Sequence, residues 1–109
     1  MAFKRNVSNL IRVDVTVNVP NERGTFDKNT FVGFFERPTS PEHMDELRNT
    51  TFPDVVRKQL KDWELTDKDS GDKVPFSAEE LETVLAIEPT PQAAALAYFE
   101  ALKGRRVKN

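Results

Sequence analysis

The chain is predicted to adopt an α+β fold, and three observations carry the prediction. A period-two run of β-branched residues lies near the start, an aromatic-rich strand follows a turn, and beyond residue 40 nearly all signals are helical. The expected architecture is an N-terminal antiparallel β-hairpin or meander, then a small bundle of about four short helices, with a short hairpin near residues 63–76. The length of 109 residues suits a single domain spanning 1–109, with 1–9 and 105–109 expected to fray.

In "IRVDVTVNV", Ile11, Val13, Val15, Val17 and Val19 alternate with Arg12, Asp14, Thr16 and Asn18, the pattern of a half-buried strand. "PNERG" (20–24) supplies turn residues. "TFDKNTFVGFFER" holds four of the eight phenylalanines. Phe31, Gly33 and Phe35 would share one face, and Val32 and Phe34 the other. A strand apolar on both faces is covered twice, by core and by a helix or a partner chain.

Ser40, Pro41 and Glu42 read as N-cap, first-turn proline and dipole-favoured acid, with Met44 and Leu47 starting a short stripe. Pro53 can open a second helix through "DVVRKQLKDW", where Val56, Leu60 and Trp63 have i, i+4, i+7 spacing. In "FSAEELETVLAI", Ser77 and Glu80 form a capping box ahead of Leu81, Val84 and Leu85. Thr90 is the expected N-cap and Pro91 the first residue of the last helix. Leu96, Phe99 and Leu102, with Ala95, would form its packing face, and Gly104 its C-cap.

Composition narrows the chemistry. Without cysteine there are no disulfides, thiolate metal sites or thiol catalysis. No apolar run is long enough for a signal peptide or a membrane span, which leads us to expect a soluble intracellular protein. Lys103, Arg105, Arg106 and Lys108 give the last seven residues +4, so residues 1–102 carry −6 of the overall −2. An acidic body with a short basic tail is not the footprint of a nucleic-acid-binding domain. The tail either complements the end of the last helix or contacts an acidic partner or nucleic acid.

The acid-rich stretch "WELTDKDSGDKVPFSAEE" (63–80) raises the question of a cation site. An EF-hand register from Asp67 places Gly71 at position 5 and Ala78 at 12; one from Thr66 places Lys68 at 3 and Ser77 at 12. Neither register works, so a glycine-containing hairpin loop is expected. His43, the sole histidine, has no second imidazole to join in a metal or proton-relay site. Neither a nucleophile–base pair nor a phosphate loop is present, and we expect no enzyme, cofactor or metal.

Three motifs follow one another in a more specific order. "FER" (35–37) ends the hairpin, "WELTDKDSGDKVPFSAEEL" links two helices, and "RVKN" closes the chain. In this order the sequence resembles one group of tail assembly chaperones of long-tailed bacteriophages and prophages, over about Arg12 to Asn109. The most specific positions are Trp63, Asp67, Gly71, Val74, Pro75, Phe76, Ser77, Glu80 and Leu81, with Lys108 and Asn109. The loop is slightly longer here than the common "D-E-D-G-E-P-V-P-F-S" form.

The resemblance implies a non-enzymatic chaperone in the cytoplasm of the bacterial host, absent from the mature virion. Such a protein coats the tape measure protein and promotes polymerisation of the tail tube around it. Phe31, Phe34 and Phe35 are the first candidates for that contact, with Arg105, Arg106 and Lys108 in the tail; the same surface is an alternative site of homo-oligomer formation. A structural virion component, either a head–tail connector or a tail-completion protein, is the alternative function, and a small nucleic-acid-binding regulator is a third.

Overall fold

A computed structural model of the chain describes residues 2–104. Its first elements are strands β1 (Leu10–Pro20) and β2 (Phe26–Glu36), paired antiparallel along their whole length. The hairpin closes on Asn21, whose Oδ1 accepts from the Arg23 and Thr25 backbone N–H groups, with Gly24 at φ +79°. The alternation in β1 becomes burial: Val13, Val15 and Val17 face the core. Opposite them in β2 lie Gly33, Phe31 and Asn29.

Helices α1 (Pro41–Arg48) and α2 (Phe52–Gln59) follow. Ser40 caps α1 as expected, its Oγ accepting from the His43 N–H at 3.0 Å. The second helix is shorter than its apolar spacing suggests. It stops at Gln59, and Leu60–Glu64 form a third strand, β3, antiparallel to β2, which gives the sheet order β1-β2-β3. Leu60 lies opposite Phe35 and Trp63 opposite Gly33, with Lys61 as an extra, bulged residue between them. The bulge turns two residues three apart onto one face, so a bulged strand imitates helical spacing. Both residues are buried, as a helix would have had them, but the open edge of β2 takes this segment as a strand.

Beyond β3, α3 (Ala78–Leu85) starts at Ser77, whose Oγ accepts from the Glu80 N–H, and buries Leu81 and Leu85. α4 (Thr90–Leu102) packs across β1 and α2. Its N-cap is Pro89, one residue before the expected Thr90, which belongs to the helix and is buried. Its packing face also differs from the expected one. Ala94, Ala95, Ala97 and Tyr98 are buried, Phe99 and Leu102 are half-buried, and Leu96 is 43% exposed. Small alanines let the helix axis approach the sheet, and only one large ring, Tyr98, enters the gap. Gly104 follows the helix at φ +77° and its N–H bonds to the Ala101 carbonyl, as a C-terminal stop requires.

Tyr98 stacks on Phe35 with ring centroids 4.8 Å apart. Its hydroxyl donates to the Glu36 carbonyl at 2.7 Å. Gln59 Nε2 donates to the same carbonyl and to the Tyr98 oxygen. This buried network joins β2, α2 and α4. Gly33 makes the packing possible, because a Cβ there would stand 2.6 Å from the Phe35 ring.

Candidate functional site

The stretch 63–76 builds one wall of a broad surface depression. Trp63 is buried, its Nε1 donates to the Val74 carbonyl at 2.8 Å, and its ring meets Phe31 and Phe76 edge-on. Thr66 and Lys73 form a single antiparallel bridge, so the expected short hairpin is present. Within its loop, Asp67 Oδ1 accepts from the Asp69 and Ser70 N–H groups, and Gly71 sits at φ +75°. Lys68 Nζ donates to the Lys28 carbonyl and moors the loop to β2. The Asp67 carboxylate thus shapes the turn. Among the described residues, no group of three or more His, Cys, Asp or Glu side chains is placed to hold a metal ion.

Between this loop, the turn end of the hairpin and α3 runs an open trough of about 1560 Å³. Val17, Val19, Phe31, Leu65, Val74, Phe76, Val84 and Ile87 line it, and Ile87 is 42% exposed. Its charged lining consists of six carboxylates (Asp27, Asp62, Glu64, Asp67, Asp69 and Glu80) against two lysines, Lys68 and Lys73. The trough is wider than the roughly 300–1,000 Å³ typical of small-molecule pockets. A macromolecular segment with an apolar stripe and basic flanks matches both its size and its charge. A smaller depression gathers Pro38, Met44, Leu96, Phe99 and Leu102 beside Arg48 and Lys103.

The three phenylalanines expected to contact a partner do not form one surface. Phe35 is 0% exposed and Phe31 8%, both directed to the core, where Phe31 reaches the trough floor. Side chains so enclosed offer little area to another chain, and what Phe31 offers lies at the trough floor. Phe34 lies on the opposite sheet face, half-buried, with Arg12 and Asp62 as cross-strand neighbours. Arg105, Arg106 and Lys108 lie outside the described residues. Of the motif residues, Trp63, Gly71, Pro75, Phe76 and Glu80 line the trough, and Ser77 caps the helix beside it.

The accessible residues that sequence reasoning passed over are Val19 and Ile87. Ile87 carried one signal, an apolar side chain beyond the helical stripe and next to a proline-rich break.

Titration adds little chemistry. Arg57 hydrogen-bonds Glu82 through two nitrogens and Asp54 through a third, and holds both carboxyls below their usual range. This exposed cluster ties α2 to α3. Burial pushes the Tyr98 phenol up. His43 Nδ1 accepts from the Thr39 N–H at 3.0 Å, a local brace at the start of α1. No described helix is long and apolar enough to cross a membrane. The chain has no match among protein-family models, curated proteins or solved structures.

Proposed function

We propose that this chain is a non-enzymatic phage tail assembly chaperone that binds the tape measure protein and promotes assembly of the tail tube. One observation carries the reading alongside the sequence resemblance: the open, apolar, acid-rimmed trough. A tape measure protein of long amphipathic helices exposes an apolar stripe until the tube closes around it. A trough with an apolar floor can shield such a stripe, and rim carboxylates favour helices that flank it with lysine or arginine. The work is done in the host cytoplasm, and the chaperone leaves before the virion is complete. The tail tube protein is a second partner of the same assembly step.

Co-expression with the tape measure protein tests this. The expected result is a recovered complex and a higher soluble yield of the tape measure protein. An Ile87→Asp variant, altered at an exposed position on the trough, should fold normally and lose the complex. A tape measure protein equally soluble alone, with no complex recovered, refutes the proposal. So does stoichiometric presence of this chain in purified particles.

A further inference from the structure

On the face turned away from the core, the sheet carries Leu10, Phe34 and Val32. Arg12 and Asp62 flank Phe34, and Asp14 and Glu64 flank Val32. Leu10 is 40% exposed, and Phe34 and Val32 are half-buried. Asp14 has Arg12 at 3.8 Å, whereas Asp62 and Glu64 have no ion-pair partner among the described residues. The first residues of the chain have the matching chemistry. Ala2–Asn9 is exposed throughout and combines the apolar Phe3 and Val7 with Lys4 and Arg5, which are likewise in no ion pair among the described residues. The segment is held only at its root. Arg37 Nε donates to the Ser8 carbonyl and the Arg37 N–H to the Asn9 carbonyl, while the Leu10 N–H donates to Ser8 Oγ and the backbone bends at Asn9.

We infer that residues 2–7 fold back within their own chain as a strap, crossing Leu10 and Phe34 to Val32 and setting Lys4 and Arg5 against Asp62 and Glu64. The distances allow it. Glu64 lies four strand residues along and two strand spacings across from Leu10, about 17 Å. The six residues 2–7 span about 20–22 Å when extended. Phe3 and Val7 then leave water against an apolar row that no other described segment covers, and the two unpaired acids gain two unpaired cations. Val32, Asp62 and Glu64 also line the end of the trough nearest the root of the segment. The strap therefore holds part of the surface proposed for the tape measure protein. Its apolar and basic side chains imitate that ligand, which must displace them to bind. This competition rests on the proposed function; the position of the strap does not.

The chain has no cysteine, so an Ala2→Cys variant takes a nitroxide spin label at a single site. The label should broaden the backbone amide resonances of Val32, Phe34 and Glu64, less so at high salt because the ion pairs are exposed. Asp62→Asn with Glu64→Lys should remove most of that broadening, and the asparagine keeps an acceptor for the Trp63 N–H. Labelled chain mixed with unlabelled, isotope-enriched chain should give none, since the contact lies within one chain. No broadening at these amides, or equal broadening in the mixture, overturns the strap. In co-expression, deleting residues 2–7 should raise recovery of the tape measure complex about three- to tenfold, as expected where the strap is open about a tenth to a third of the time. Equal recovery from both forms overturns the competition. No complex from either form refutes the proposed function instead, and the spin label still decides the strap.

Discussion

Replacing Tyr98 by phenylalanine removes one oxygen and keeps the ring that stacks on Phe35, so it isolates the buried polar network from the packing. The lost hydroxyl is the donor of a 2.7 Å bond to the Glu36 carbonyl and the acceptor of a 3.2 Å bond from Gln59. The carbonyl keeps Gln59 Nε2 as its second donor, so it is not stranded. One net hydrogen bond is worth about 1 kcal/mol, and weakening the buried Gln59 amide raises the cost to about 1.5 kcal/mol. At ~4–8 °C per kcal/mol for a small domain, the melting temperature should fall by roughly 6–12 °C.

Gln59→Leu should cost about as much, because it removes two bonds while the Tyr98–Glu36 bond survives. The double variant then tests whether the three groups act as a unit. Chemical denaturation of the parent, both single variants and the double variant should give a double-variant loss about 1 kcal/mol below the sum of the singles. Tyr98→Phe within ~0.3 kcal/mol of the parent, or strict additivity, would show that the network contributes no cooperative stability.

The same residue predicts an alkaline limb. Burial raises the Tyr98 pKa, so above pH about 10 the unfolded chain loses the phenolic proton before the folded one does, and stability falls as pH rises. Urea midpoints measured between about pH 9 and about pH 11 should fall more steeply for the parent than for Tyr98→Phe, and equal slopes would refute this. Gly33→Ala places a methyl group 2.6 Å from the Phe35 ring and 3.0 Å from Leu60, both in the core. Thermal unfolding should show a loss of about 1–3 kcal/mol, and an unchanged melting temperature would mean the core yields freely there. Ser77→Ala removes the acceptor for the Glu80 N–H and should cost about 1 kcal/mol, read in the same assay, with no loss if water caps the helix equally well.

Local chemistry made much of the fold legible in the sequence. Alternation in β1, Asn21 and Gly24 in the turn, and Ser40 and Ser77 as caps all act within a few residues, and each stands where it was read. What escaped depends on distant neighbours. No breaker separates Gln59 from Leu60; the helix ends there because β2, along Val32–Phe35, offers Leu60–Glu64 an antiparallel partner. The α4 face was misjudged for a related reason. Leu96 is the more hydrophobic choice, but the space beside Phe35 and Gln59 admits Tyr98, whose hydroxyl has a carbonyl to reach. The trough was least legible, since β1, the 65–76 loop and α3 each contribute a few side chains and none contributes a pattern.

The bulged Lys61 has a consequence for how this chain tolerates changes in length. Removing that one residue would restore regular pairing between β2 and β3, with Trp63 still opposite Gly33 and Leu60 still opposite Phe35. Leu60 and Trp63 would stay on the core face, and β3 would lose only the local bend that the extra residue puts into it. A few positions later, Asp67–Asp72 is an exposed turn on the far side of the Thr66–Lys73 bridge. Insertions there lengthen a loop and leave the pairing on either side unchanged. Relatives of this chain should therefore vary in length most readily in that loop.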